Sequence, residues 1–196
     1  ALPSASIKEV LFKNYQNYHF CLEQGFWLKQ RNLSFKVENL GLESVFLHED
    51  EEKQIIKRFI FHNHNNSIEL EILIKNLSNQ VLNLDYPLIL GEIALSSSQL
   101  ESRFQEVVLA QKDRLLRLNP KQNFASTEEV KFLALKDRYF CAIIQPEFSE
   151  AKGFIKKINP KTAEVGLDLK QELLSGQEKS FNFLLYLGPQ RLEALQ

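Results

Sequence analysis

Apolar and polar residues alternate along much of the chain with a period of two. In SIELEILIKN, residues 67–76, Ile68, Leu70, Ile72 and Ile74 fall on one face, and Glu69, Glu71 and Lys75 fall on the other. Successive side chains of a strand point to opposite faces, so the segment reads as an antiparallel strand with one buried side. The preceding KQIIKRFIFH alternates through Ile55, Lys57, Phe59 and Phe61. Between them lies HNHNNS, whose residues tolerate left-handed backbone or bond their own main chain, which predicts a turn and a hairpin. NLSNQ at 76–80 predicts another turn and VLNLDYPLIL the next strand. Pro87 has no N–H to give a ladder, so that strand is expected at a sheet edge.

Shorter segments of the same kind come first: SIKEVLFKNY, GFWLKQ, NLSFKVENL and ESVFLHE. Later, VKFLALKDRYFCAIIQP (130–146) reads as two strands meeting at the charged turn Lys136-Asp137-Arg138. SGQE (175–178) is a turn before a final strand, in which Phe181, Phe183, Leu185 and Leu187 alternate with Asn182, Leu184 and Tyr186. Short strands spaced by polar turns predict an all-β sandwich of antiparallel sheets. One stretch, SSSQLESRFQEVVLAQKDRLLRLNP, carries two readings. Leu100, Phe104, Val107 and Val108 have helical spacing, whereas Val107 and Leu109 followed by Leu116 and Leu118 suit a hairpin. No repeat, low-complexity tract or Gly/Ser linker divides the chain, so residues 1–196 read as one domain.

The chain closes with FNFLLYLGPQRLEALQ, where Gly188-Pro189 ends the alternation. Proline fits the first position of a helix, because its φ is already helical and its missing N–H is unneeded there. Leu192 and Leu195 follow at helical spacing, so a terminal helix is expected from about 189. The chain starts at Ala1 and contains no Met, which suggests a piece of a longer protein.

Composition narrows the chemistry. The 24 basic and 25 acidic residues nearly cancel, which gives no electrostatic reason to expect nucleic acid or an anionic membrane surface as partner. No apolar run reaches the roughly 18–20 residues of a membrane helix. Cys21 and Cys141 lie about 120 positions apart without CxxC spacing, so they suggest neither zinc nor a redox motif. They read as two buried thiols, with pairing open in an oxidising compartment. His62 and His64 would share a strand face but have no third ligand nearby, and the acidic run HEDEE at 48–52 reads as a solvated turn. With 7 glycines and neither a phosphate loop nor a G-x-S-x-G elbow, nothing reads as a catalytic site, and no cofactor or metal is expected.

Four stretches, in order along the chain, carry a resemblance: SIKEVLFKNYQ, IIKRFIFHNHNNSIELEILIKNLSNQVL, VKFLALKDRYFCAIIQP and FLLYLGPQRLEAL. They resemble the large periplasmic domain of the YidC membrane-protein insertase, of the YidC/Oxa/Alb family. The first is similar to that domain's opening I-x-S-x-x-L-K-x-Y. The second is similar to its TKTF strand, turn and V-x-N strand. The third resembles its aromatic-apolar-Ala strand, short turn and Tyr-Phe strand ending in Pro, and the last its closing Y-x-G-P-K and helix. The chain departs at Ser4-Ala5-Ser6, where the family usually has Gly-Gly, at Gln190 for Lys, and at Phe132, where many members have Trp.

The resemblance implies a β-supersandwich, galactose mutarotase-like in fold, with a short C-terminal helix and a hairpin over 104–118. It implies a soluble domain at the periplasmic face of the bacterial inner membrane, tethered before Ala1 and leading after its terminal helix to a membrane helix. The role it implies is non-catalytic. The domain would dock partners, the SecD–SecF complex of the Sec translocon and nascent membrane proteins, with a possible peptide-binding cleft. Tyr186, Gly188, Pro189, Leu192 and Leu195 are the expected orientation and partner segment, and Phe132, Tyr139 and Phe140 are expected in the core. The alternative is a carbohydrate-binding or sugar-epimerase-like sandwich. That reading needs His48, His62 and His64 to converge beside an aromatic platform such as Trp27.

Overall fold

A computed structural model describes residues 36–62, 66–95 and 103–190. Thirteen strands form two antiparallel sheets, and no helix occurs among the described residues. The strands are β1 (Lys36–Leu40), β2 (Glu43–Glu49), β3 (Lys53–Phe61), β4 (Ser67–Asn76), β5 (Leu82–Ala94), β6 (Glu106–Ala110) and β7 (Leu115–Leu118). They continue with β8 (Phe124–Ala125), β9 (Phe132–Lys136), β10 (Phe140–Pro146), β11 (Lys152–Asn159), β12 (Thr162–Leu173) and β13 (Glu178–Pro189).

The larger sheet runs β1-β2-β3-β4-β13-β10-β9-β6-β7 and the smaller β5-β12-β11-β8. The hairpin of β3 and β4 forms across HNHNNS, and the β9–β10 hairpin turns at 137–139, as the patterns predict. The 104–118 stretch is also a hairpin, with Val107 opposite Leu118 and Leu109 opposite Leu116. β5, with Pro87, lies at the edge of the smaller sheet.

The inner faces meet in one apolar core. Ile72, Leu133, Ile144 and Phe183 of the larger sheet and Leu90, Val165 and Leu167 of the smaller are each at most 1% exposed. Burying a side chain of this size is worth about 1.5–3 kcal/mol, so such residues dominate the stability. Phe148, between β10 and β11, sets its ring edge against Phe181 and Phe183 at 5.3 Å. Lys57 shares the inner face of β3 with Ile55 and Phe59, its ammonium 5.9 Å from the Phe46 ring centre.

Two local devices set how the sheets connect. Asn76, fully buried at the end of β4, donates from its side-chain nitrogen to the carbonyls of Gln80 (2.7 Å) and Leu173 (2.9 Å). Its side-chain oxygen accepts from the Ser78 N–H and hydroxyl. One amide thus holds the β4–β5 crossover against the end of β12. Gly176, in the β12–β13 turn, has a φ of +74°, a left-handed value that glycine adopts without a β-carbon clash.

Candidate functional site

The last strand ends in a corner built from both its neighbours. β13 pairs with β10 through Tyr186↔Ile143, Leu187↔Ala142, Gly188↔Cys141 and Pro189↔Phe140. On its other side the ladder with β4 stops at Tyr186↔Ser67, and the Leu187 N–H donates to the Asn66 carbonyl at 2.9 Å. The Tyr186 hydroxyl curls over to donate to the Pro189 carbonyl at 2.9 Å. Gly188 is buried between them, and its φ is not left-handed. Lack of room, rather than backbone freedom, is what a side chain would meet there.

Pro189, where the helix is expected to open, still belongs to the strand and pairs with Phe140. The reason is that inter-strand bonding continues past it: the Gln190 N–H donates to the Tyr139 carbonyl at 2.9 Å. Leu192 and Leu195, expected on one face of that helix, lie outside the described residues.

Gln190 also grips the β9–β10 turn with its side chain, which donates to the carbonyls of Asp137 and Phe140. The turn is built by Asp137, whose carboxylate accepts the N–H groups of Tyr139 (2.8 Å) and Phe140 (2.9 Å). It presents Arg138 and Tyr139 outward. Tyr139, expected in the core, is 62% exposed, because its main chain is held in the turn and its ring has no sheet to cover it. Phe132 and Phe140 are half-buried.

Phe104, just before β6, joins this turn because Glu106 pairs with Lys136 in the β6–β9 ladder. The Arg138 guanidinium carbon lies 5.1 Å from the Phe104 ring centre and 5.2 Å from that of Tyr139, within cation–π range of both. Beside it, Glu106 is held by Lys136 (2.6 Å) and Arg117 (3.4 Å). Phe104 and Arg138 are far apart in the chain, and only strand register joins them. The one local sign was Arg138 in the predicted turn Lys136-Asp137-Arg138.

His48 and His62 do not converge. His48 sits opposite Ile55 near the start of β3, whereas His62 follows its end, roughly 20 Å away at the usual strand rise. His48 is buried and meets Asp50 at 3.1 Å, and exposed His62 meets Glu69 at 2.9 Å. His64 and Trp27 lie outside the described residues, and no cluster of metal-binding side chains occurs among those described. The HEDEE turn is more ordered than a solvated run. Burial pushes the Asp50 carboxyl up, but N–H groups of Lys53 and Glu52, with the His48 and Lys53 side chains, overcome this and hold it well below the carboxylate range. Cys141 is a buried free thiol between Lys136 and Gly188, and Cys21 lies outside the described residues. Burial pushes the Cys141 thiol up against the pull of nearby Lys136, with Asp137 adding to the rise. Cys141 is therefore a poor nucleophile at neutral pH.

Comparison with solved structures gives sugar-enzyme folds. A galactose mutarotase-like protein from Lactobacillus casei superimposes with a TM-score of 0.61 at 9% identity, over 81% of this chain and 74% of that one. A galactose mutarotase related enzyme from Lactobacillus acidophilus gives 0.56 at 14% identity, over 81% of this chain and 72% of that one. A GH36 alpha-galactosidase from Geobacillus stearothermophilus gives 0.57 at 11% identity, covering 83% of this chain but 29% of the enzyme. At such identities the likeness is one of fold alone, and fold does not carry chemistry. No curated protein sequence matches the chain. A family model does, over residues 23–196, and its description is YidC periplasmic domain. The mutarotase-like sandwich is thus the scaffold of a periplasmic domain, and the chain belongs to the YidC periplasmic domain family.

Proposed function

We propose that this chain is the non-catalytic periplasmic domain of a YidC-type inner-membrane insertase, and that it docks Sec components and nascent membrane proteins for that parent. The family match carries this reading. His48 and His62, set at opposite ends of β3, do not form the converging pair that the sugar-enzyme alternative needs.

Strand addition at β7 is the docking mode the backbone favours. Among the described residues β7 ends the larger sheet, with β6 on one side only. The Gln111 N–H to Arg114 carbonyl bond (2.9 Å) closes the hairpin. Bonding alternates from there, so Leu115 and Arg117 turn their main-chain groups outward. Leu115 is 58% exposed, an apolar anchor beside an open ladder.

The test uses the full-length parent, solubilised and pulled down with and without residues 1–190. Sec components should be recovered only with the domain present, and unchanged recovery overturns the docking role. Arg117→Pro, which removes an outward N–H, should reduce recovery several-fold relative to Arg117→Ala, which keeps it. Equal recovery rules out strand addition at β7.

A further inference from the structure

We infer that the corner formed by Phe104, Arg138 and Tyr139 rests on the surface of an anionic phospholipid bilayer. This goes beyond the docking role and rests on the reading that the chain continues from this corner into a membrane-anchored parent.

The three side chains have the chemistry of an interfacial contact. Phe104 is 42% exposed and Tyr139 62%, both beside one guanidinium. Aromatic rings with one wet edge favour the headgroup level of a bilayer, and arginine offers phosphate a forked set of donors. The neighbouring carboxylates are engaged elsewhere. Asp137 is taken up by the N–H groups of its own turn, and Glu106 by Lys136 and Arg117. Arg138 has no ion-pair partner among the described residues, so its charge is available to an anion.

Position supports the choice of a bilayer over a protein. The Gln190 main chain and side chain tie the departing strand to the turn that carries Arg138 and Tyr139. Whatever surface the following chain enters, these side chains are the part of the sandwich held beside the point of departure. Among the described residues the larger sheet's edge at β7, two strands away from β9, remains available to a partner.

One arginine and two rings give weak affinity, so the test tethers the chain. The 196-residue chain is joined enzymatically at its C-terminus to a lipid anchor in vesicles, which raises the local concentration to about the millimolar range. Tyr139→Trp supplies a reporter, its added emission taken against the chain that keeps Tyr139. In vesicles containing brominated phosphatidylglycerol, that emission should shift to the blue and be quenched at least about twofold. Arg138→Glu in the same chain should abolish both effects, and vesicles of phosphatidylcholine alone should give much less. Emission that stays solvent-like on both vesicle types overturns the inference, as does quenching that is indifferent to Arg138→Glu. Recovery of Sec components by the parent carrying Arg138→Glu separates the two proposals. If domain-dependent recovery is seen while the Tyr139→Trp chain that keeps Arg138 makes no vesicle contact, the bilayer contact alone is wrong. If Arg138→Glu releases a co-purifying protein and leaves vesicle contact unchanged, the corner is a protein interface instead. Vesicle contact without domain-dependent Sec recovery removes the docking role alone.

Discussion

The side-chain nitrogen of Asn66 lies 2.6 Å from where a β-carbon on Gly188 would stand. The Tyr186 hydroxyl is nearly as close, at 2.8 Å. Both are the ends of side chains and can turn away, although Tyr186 then gives up its bond to Pro189. Gly188→Ala should cost about 1–2 kcal/mol. At Gly166 the obstacle is the Leu88 carbonyl at 2.2 Å, fixed in the bulged β5–β12 ladder, with the Phe154 ring at 2.9 Å. Gly166→Ala should therefore cost more than about 3 kcal/mol or prevent folding. Urea unfolding of both variants checks the order, and equal costs would refute the distinction between yielding and fixed neighbours.

Asp50 makes the fold acid-sensitive. Its folded carboxyl is held below its ordinary value of 3.8, so around that pH the unfolded chain binds more protons than the folded one. The stability it contributes is complete above about pH 5 and is lost progressively as pH falls through 3.8 and below. Asp50→Asn should lower the urea midpoint at neutral pH and flatten its decline between about pH 5 and pH 3. A decline as steep as that of the parent chain would place the acid sensitivity elsewhere.

Asn76 should tolerate loss of its amide less well as Asp than as Ala. Its nitrogen donates to two carbonyls, and it is fully buried. Asn76→Ala leaves those carbonyls short of a donor, at about 2–3 kcal/mol. Asn76→Asp does the same and faces them with an acceptor that must bury a charge or take up a proton. Thermal melts at pH 7 should rank the parent chain first, Asn76→Ala second and Asn76→Asp last. The reverse order of the variants would mean the amide donors matter less than the side-chain oxygen bonded to Ser78.

Much of the larger sheet was legible because its strands have one dry and one wet face. β4, β13 and the β6–β7 hairpin all show this alternation. β12 does not. Ala163, Glu164, Val165, Gly166 and Leu167 are all buried, so both faces are dry and the period of two disappears. The division into two sheets was equally hidden, because the crossover after β4 depends on Asn76 bonding to Leu173, 97 positions away. At the corner, Tyr186, Gly188 and Pro189 were readable as a terminus of the strand pattern. That Gln190 would bond to Tyr139, across the sheet, is something no local spacing reveals.

β13 is the last of the described strands, yet it lies in the interior of the larger sheet, between β4 and β10. Until it arrives, β1–β4 on one side and β10, β9, β6 and β7 on the other are separate halves with unpaired edges facing each other. During synthesis the domain cannot close around its core before residue 189 has emerged, so folding waits for almost the whole chain. Such distant pairing folds slowly. In a parent where membrane segments follow, the sandwich would be completed at about the moment the next segment begins to leave the ribosome.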